Sequence, residues 1–192
     1  YRRQRQMCIR DSKERLHIVC DDLQVIVPKD RDISFIERTN LIEVMPDGIK
    51  ITYRGVRALS RNPQRGDNAI FKFVKDFHGH LDKTSSLYSM VNMVYELFLD
   101  DFYGKKSGLY HEDAAMGCSS VCLMSLNTQA EKLELCVDVR YVRTRDEQKL
   151  LHVLRQMALH YGCDLEVLRH KRLLYVEPDS TLIQSLKKAY YK

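Results

Sequence analysis

The stretch from Ile49 to Ala69 constrains the fold of this chain more than any other part of its sequence. Up to Gly55, apolar residues alternate with polar ones, which is the pattern of a half-buried strand. A basic loop containing Pro63 follows, and Gly66-Asp67-Asn68 opens a helical pattern. A strand that runs into a basic loop and a helix start can hold an anionic group. This stretch is therefore the first candidate ligand site of the chain.

The residues before this stretch predict one helix and one β-hairpin. Ser12 is a suitable helix N-cap, and the apolar residues after it recur at helical spacing, namely Leu16, Val19, Cys20 and Leu23. Strand patterning begins near Ile33 and continues through 41–45. Pro46-Asp47-Gly48 is a strong turn signal between that strand and the alternating residues after it. The sequence therefore predicts a hairpin at this turn.

Helices and a second hairpin are predicted after the stretch. Apolar stripes at helical spacing cover 69–81 and 85–102, whereas 103–118 has no clear period and is expected to be a surface connection. Residues 127–129 are expected to turn the chain into a long strand over 133–141, with alternate apolar residues on one face. The opposite face of that strand then carries Asp138 and Arg140 side by side.

The C-terminal part predicts a helix over 145–162, short strands over 165–167 and 173–176, and a final helix that begins near Ser180. The whole order reads as α-β-β-α-α followed by β-β-α-β-α. Two halves that each contain a ββα unit predict an α+β sandwich of two related lobes, each an antiparallel sheet with helices on one side.

Composition and charge exclude several classes of protein. The chain has 192 residues, of which 44% are hydrophobic and 30% charged, an ordinary globular composition. No apolar run approaches the roughly 18 residues of a transmembrane helix, and no signal peptide is recognisable. Six cysteines are spread singly. We therefore expect a cytoplasmic protein with reduced thiols and no membrane partner.

The net charge of +5 is concentrated at the N-terminus. Residues 1–12 carry four Arg and one Asp, have no periodicity, and are expected to be a non-native tail that takes no part in the fold. The alternative is a native basic tail. In both cases the rest of the chain is nearly balanced in charge, so no nucleic-acid partner is expected.

Catalytic motifs are absent from the sequence, which has no G-x-S-x-G, no P-loop and no H-E-x-x-H. His78 and His80 lie at a helix end, where side chains two residues apart diverge. Cys118 and Cys122 are about 13 Å apart on an extended chain, too far to share one zinc ion. Taken alone, the chain is expected to be neither an enzyme nor a metal-binding protein.

Arg140 is the one residue whose position suggests a ligand. An arginine on a rigid strand suits bidentate binding of a carboxylate. The alternative is a surface pair with Asp138, which contributes little to stability. The residue pattern leaves both interpretations open.

Three ordered blocks carry a family resemblance. They are Ile51–Ala69, which contains Gly55-Val-Arg-Ala-Leu59, Pro63 and Gly66-Asp-Asn-Ala69; Glu134–Tyr141; and Leu173–Leu186. Together they resemble the lid domain of the di-zinc dipeptidase and deacylase family. This family includes PepV-type dipeptidases, carnosinases, acetylornithine deacetylase and succinyl-diaminopimelate desuccinylase. The resemblance covers the chain, with gaps, from about residue 13 to its end.

The resemblance implies a ferredoxin-like lid domain with two related lobes, built as a two-layer α+β sandwich over residues 13–176. Residues 177–192 would begin the return to a catalytic domain that is missing from this chain. That missing domain would bind the two zinc (or manganese) ions, which activate a water for hydrolysis of a dipeptide. A lid domain of this kind also allows a homodimer.

The resemblance also assigns roles to individual residues. Arg140 matches the arginine that binds the substrate carboxylate, and the loop and helix start are supported by four small or amide residues, Gly55, Asn62, Gly66 and Asn68. Leu59 occupies the position of the histidine that stabilises the oxyanion in the family, and leucine donates no hydrogen bond. The resemblance thus implies a metallodipeptidase lid with no catalytic residue in this chain.

Because Leu59 replaces the histidine that the resemblance expects, there are alternatives to an active dipeptidase lid. Arg57 or Arg61 takes over the missing donor in one of them. In the others, the parent protein is an inactive paralogue, or the chain is a non-catalytic α+β module that binds a ligand or dimerises. The resemblance also implies that the stretch 49–69 is the hinge side of a lid rather than a phosphate cradle.

Overall fold

A four-stranded antiparallel sheet organises the N-terminal part of the protein. The computed structural model of the chain describes residues 8–11, 17–129, 132–171, 173 and 175–190. The strands are β1 (Cys8–Asp11), β2 (Asp22–Val27), β3 (Leu41–Met45) and β4 (Gly48–Arg54), in the spatial order β1-β2-β4-β3. β4 therefore lies between β2 and β3. The expectation that residues 1–12 take no part in the fold is wrong for Cys8–Asp11, because β1 pairs with β2 at the edge of this sheet.

The predicted hairpin at residues 46–48 is confirmed. Met45 pairs with Gly48 across a tight turn, and β3 and β4 continue antiparallel from there. Gly48 is required at this turn, because a Cβ there would lie 2.6 Å from the carbonyl oxygen of Val27. Ile51 and Tyr53 of β4 are fully buried, as the alternation predicts. Thr52 between them is buried as well, so the burial of β4 does not alternate as its sequence does.

The helix predicted from Ser12 is wrong over the described residues. His17 lies in a turn, and β2 begins at Asp22. The apolar residues fit helical spacing only as far as Leu23, whereas Leu23, Val25 and Val27 alternate and are buried against the core. Pairing with β4 along the whole length of β2 decides the conformation, since tertiary context overrides a short periodic signal. Residues 12–16 lie outside the described part.

The strand expected from Ile33 begins later, at Leu41. Residues 28–40 instead form consecutive turns, with backbone hydrogen bonds from Arg31 to Pro28, from Ile36 to Ile33 and from Asn40 to Glu37. This segment carries Pro28 and several charged residues, which favour turns over a strand.

Two helices cover the sheet, as predicted. α1 (Ala69–Phe77) packs against β2 and β4 through residues that are almost completely buried, and α2 (Ser86–Leu97) packs against α1. A short 3-10 helix (Pro63–Arg65) precedes α1. The segment 103–118, expected as a surface connection, contains a small hairpin of β5 (Glu112–Asp113) and β6 (Gly117–Cys118) and a fully buried Leu109.

A long hairpin of β7 (Ser120–Gln129) and β8 (Lys132–Arg140) forms a separate two-stranded sheet. The turn expected at residues 127–129 is wrong, because these residues pair with 132–134 as strand. The register shifts between Leu123 and Ser125. The alternate apolar residues of β8 pack on the same core as the first sheet, namely Leu133, Leu135, Val137 and Val139.

The C-terminal part contains α3 (Glu147–His160) and α4 (Thr181–Tyr190). The strands expected at 165–167 and 173–176 are wrong, since the described residues there form neither strand nor helix. The fold is therefore α+β, with small antiparallel sheets and four α-helices among the described residues. The two related ferredoxin-like lobes stay a prediction. No helix in the described ranges is long and apolar enough to cross a membrane.

Candidate ligand site at Arg140

The loop of residues 55–67, here called the basic loop, is closed at its base. The N–H of Val56 donates to the carbonyl of Asp67 and the N–H of Asp67 donates back, both at 2.9 Å. Gly55 is required at this base, since a Cβ there would lie 2.0 Å from the carbonyl oxygen of Asp67. Gly66 is equally constrained, because its Cβ would lie 2.7 Å from the carbonyl oxygen of Val56.

Asn68 fixes the exit of the basic loop. Its Oδ1 accepts the N–H of Ile70 at 2.9 Å as the N-cap of α1, and its Nδ2 donates to the carbonyl of Leu123 in β7 at 2.8 Å. The residue is buried, so both hydrogen bonds are shielded from water. Asn68 therefore connects the first sheet and α1 to the long hairpin that carries Arg140.

Asn62 stabilises the tip of the basic loop through its backbone. Its carbonyl accepts the N–H of Arg65 at 3.1 Å, and its own N–H donates to the carbonyl of Leu59 at 2.8 Å. All four residues predicted as loop and helix-start supports thus lie in or beside the basic loop. The contacts of Gly55, Gly66 and Asn68 depend on residue type, whereas those of Asn62 use the main chain alone.

Leu59 lies on the surface of the basic loop and is 50% exposed. It pairs with Ile18 in an isolated antiparallel bridge. Its side chain can offer no hydrogen bond to a ligand. The next residue, Ser60, is fully buried and faces β8.

Arg140 is held by Ser60 and Asp138. Its Nε donates to Oδ2 of Asp138 at 3.2 Å, and its Nη2 donates to Oγ of Ser60 at 3.1 Å. The Ser60 hydroxyl in turn donates to the same Asp138 oxygen at 2.5 Å. One edge of the guanidinium is therefore fixed by two partners, and its direction is set by the fold.

The rest of the Arg140 guanidinium faces outward. Arginine has five N–H groups in a planar fork, and the described residues use two of them. The side chain is 44% exposed, so Nη1 and the second hydrogen of Nη2 can receive a carboxylate in a parallel pair of hydrogen bonds. The strand prediction therefore placed Arg140 and Asp138 together, and the fold adds Ser60 of the basic loop.

His17 is a second site residue, besides Ser60, that sequence reasoning missed. Its Nδ1 lies 3.5 Å from Oδ2 of Asp138, and its Nε2 lies 3.4 Å from Nη1 of Arg169. The N–H of Ser60 donates to its carbonyl at 3.0 Å, so His17 lies across from Ser60. The only sequence signal was an unassigned histidine in a stretch predicted as helix.

Ser60, His17 and Asp138 are the residue types of a hydrolytic triad, but their order excludes that chemistry. Asp138 lies between the other two, so the histidine does not contact the hydroxyl. Ser60 is also fully buried. These residues are therefore suited to orient Arg140 and not to attack a substrate.

The cysteine next to the site is inert. Cys122 pairs with Asp138 across the long hairpin and is buried. Burial, and secondly the charge of Asp138, raise the pKa of its thiol to about 12. A thiol that stays protonated is a poor nucleophile and a poor metal ligand.

The residues proposed as substitutes for the missing histidine differ in their surroundings. Arg57 is paired with Asp21, whose Oδ2 accepts from Nε at 3.0 Å and from Nη2 at 2.8 Å. Arg61 is exposed on the basic loop. Arg57 is thus engaged in holding the loop to the start of β2.

A di-zinc centre does not fit the residues that the structure describes. Within these ranges no three His, Cys, Asp or Glu side chains form a group that could hold a metal ion. His78 bonds to Asn92 at 3.0 Å and stacks on Tyr95, whereas His80 stacks on Phe35, so the two histidines serve different contacts. We therefore derive no metal-dependent step from this chain.

Comparisons with protein-family models and with curated proteins find no match for this chain. What the site can do therefore follows from its geometry. A fixed, half-exposed arginine beside a closed loop is suited to bind a carboxylate.

Proposed function

We propose that this chain is the substrate-binding lid domain of a metal-dependent dipeptidase, and that Arg140 binds the C-terminal carboxylate of the dipeptide. The observation that carries this proposal is the oriented guanidinium of Arg140, which keeps part of its donor fork toward solvent. The metal ions, zinc or manganese, and the attacking water belong to the catalytic domain of the same polypeptide in this proposal.

Two further observations support a lid. The basic loop brings position 59 next to the Arg140 contact, because Ser60 follows Leu59 and bonds to the guanidinium. The apolar residues Leu182 and Leu186 of α4 are exposed, which suits a helix that packs on another domain. Four cysteines, Cys118, Cys122, Cys136 and Cys163, form no disulfide in the structure, which favours a reducing, cytoplasmic location within the proposal.

A second candidate is a non-catalytic ligand-binding module or an inactive paralogue. It is favoured by Leu59, which is exposed where the resemblance expects a hydrogen-bond donor. Loss of one oxyanion donor typically costs about 3–4 kcal/mol of transition-state stabilisation. Both candidates bind a carboxylate at Arg140, but only the first hydrolyses a dipeptide.

Sequencing the gene on both sides of this chain separates a dipeptidase lid from a stand-alone binding module, and an assay of dipeptide hydrolysis separates it from an inactive paralogue. A catalytic lid requires flanking His, Asp and Glu metal-ligand motifs in the same reading frame. Frames on both sides without such motifs would rule out the dipeptidase.

In the full-length protein, Arg140→Ala is expected to raise KM for dipeptides by about tenfold to a hundredfold with little change in kcat, because a charged hydrogen-bond pair to the substrate is lost. Steady-state kinetics on a dipeptide series checks this. Arg140→Lys keeps the charge but loses the fork and should lie between the two. Arg38→Ala, at an exposed arginine in the turns of residues 28–40, is the matched control. An unchanged KM in Arg140→Ala would indicate that Arg140 only forms a surface ion pair with Asp138.

A further inference from the structure

A cavity lies between the turn after β8, the first turn of α3 and the chain that leads to α4. Its volume is about 500 Å³, within the range of roughly 300–1,000 Å³ that small-molecule sites occupy. Arg140 is not among the residues that line it. The lining combines aromatic and apolar side chains with charges of both signs, namely Tyr141, Leu173, Tyr175, Arg145, Glu147 and Glu177. This cavity is here called the Arg145 pocket.

Arg143 also lines the Arg145 pocket and fixes one of its walls. Its Nε donates to Oδ2 of Asp113 at 2.9 Å, and its Nη1 donates to Oε1 of Glu177 at 2.8 Å. The guanidinium covers one face of the Tyr175 ring, 4.3 Å from the ring centroid. Because Asp113 is buried, it anchors this group of side chains to the small hairpin of β5 and β6. The positions of Tyr175 and Glu177 are therefore set by contacts within the fold.

The two carboxylates of the pocket differ in how far they are used. Oε1 of Glu147 lies 3.0 Å from Nε2 of His170, and the same nitrogen contacts the hydroxyl of Tyr141 at 3.0 Å. Glu177 shares only Oε1 with Arg143, and its side chain is 61% exposed. The described residues provide no partner for its second oxygen. Glu177 can therefore accept a further donor from a ligand.

The guanidinium of Arg145 has no partner among the described residues. Its Nε is shielded from solvent and makes no hydrogen bond there. Arginine stays charged at every physiological pH. A shielded donor without an acceptor is costly, so such groups are normally satisfied by a partner that binds there. Because Arg145 lines the cavity, an anionic group of a ligand in the pocket can be that partner.

The mixture of charges decides the class of ligand. A dianion such as a phosphate monoester would be repelled by Glu147 and Glu177. An amine without an acidic group would leave Arg145 without an acceptor. An amino acid carries a carboxylate and an ammonium on one carbon, so it offers a partner of the correct sign to each side. The two tyrosine rings and Leu173 add apolar surface for a side chain.

We propose that the Arg145 pocket binds a zwitterionic amino acid with an aromatic or large apolar side chain. The carboxylate of the amino acid pairs with Arg145, and its ammonium pairs with the second oxygen of Glu177. Its side chain packs on the rings of Tyr141 and Tyr175. This site is additional to the proposed function, since it uses neither Arg140 nor a catalytic domain.

Three matched ligands test the proposal by NMR titration of the full 192-residue chain. Phenylalanine carries both charges, 3-phenylpropionate lacks the ammonium, and phenethylamine lacks the carboxylate. Phenylalanine should bind about tenfold more tightly than either of the others, because each of these loses one charge-assisted contact. It should shift the amide signals of residues 141–147 and 175–177, and these shifts should persist in Arg140→Ala.

Two variants assign the contacts separately. Arg145→Gln should weaken phenylalanine and 3-phenylpropionate by about tenfold and leave phenethylamine unchanged. Glu177→Gln should weaken phenylalanine and phenethylamine by about tenfold and leave 3-phenylpropionate unchanged. In each variant, the ligand that is still bound shows that the pocket remains folded. Arg155→Gln, at an exposed arginine on α3, is the matched control and should change none of the three affinities.

Several results would overturn the proposal. Equal affinities for phenylalanine and 3-phenylpropionate would refute the ammonium contact, and loss of all three ligands in Arg145→Gln would leave Arg145 a structural role only. Shifts that disappear in Arg140→Ala would place the ligand at the Arg140 site, and no binding at tens of millimolar would exclude the pocket as a site. None of these results bears on KM for dipeptides in Arg140→Ala, so this proposal and the proposed function fail independently.

Discussion

The body formed by β2, β4, α1 and α2 and the segment of residues 163–190 use apolar residues in opposite ways. In the body, regularly spaced apolar residues are buried, including Phe73 of α1 and Ile51 of β4. In the C-terminal segment, equally apolar residues are exposed, such as Leu168 at 71% and Leu182 at 59%. The comparison shows that apolar spacing produces a packed element only where a partner surface lies within reach.

Helix α4 illustrates the same point within one element, because it forms although it is not packed. Ser180 supports its first turn, where its Oγ accepts the N–H of Ile183 at 3.4 Å. None of its residues is buried in the described structure. Local capping and spacing therefore suffice to form this helix, whereas its packing needs a surface that the body does not offer.

The largest expected effect tests the body. Phe73→Ala should lower the free energy of unfolding by about 3–5 kcal/mol, because a large cavity replaces a ring that packs edge-on to Tyr53 and against Phe77. Urea denaturation followed by circular dichroism measures the difference. A loss below about 1 kcal/mol would mean that the body relaxes around the cavity and is not tightly packed.

An intermediate effect is expected where the body meets the long hairpin. Asn68→Ala should cost about 2 kcal/mol, because α1 loses its N-cap and the buried carbonyl of Leu123 loses its donor. Asn68→Asp is the matched control, since it keeps the acceptor for the cap but not the donor. If both variants are as stable as the native chain, Asn68 does not connect the two parts.

The smallest expected effect tests the C-terminal segment. Leu186→Ala removes an exposed side chain from α4 and should change the free energy of unfolding by less than about 0.5 kcal/mol. The same denaturation experiment, run beside Phe73→Ala, gives the comparison directly. A loss above 2 kcal/mol would show that Leu186 is buried in solution and that the two regions do not differ.

Local rules predicted the parts of the fold that depend on nearest neighbours. The hairpin at Pro46-Asp47-Gly48 combined turn residues with strand alternation, so two independent signals agreed. The helix from Ser12 depended on spacing alone, and Leu23 satisfies both helical and strand spacing. Pairing with β4 decided between helix and strand for this segment, and the residues of β4 lie outside the local sequence.

The candidate site likewise has one contact that the sequence predicted and others that it did not. The nearness of Asp138 and Arg140 follows from a period of two along one strand. The contacts of Arg140 with Ser60 and of His17 with Arg169 join residues that are 80 and 152 positions apart. No periodicity in a single sequence encodes such contacts, so the partners that orient the guanidinium became visible only in the fold.

These long separations in the chain also determine when the site can exist during folding. Closure of the basic loop joins Val56 and Asp67, which are near neighbours in sequence, whereas the Arg140 contact must wait until β8 has been added to the body. Contacts between distant residues form slowly because a long loop has to close first. A chain that is still emerging from the ribosome before β8 is complete therefore has a basic loop but no site, and ligand binding would report completion of the domain.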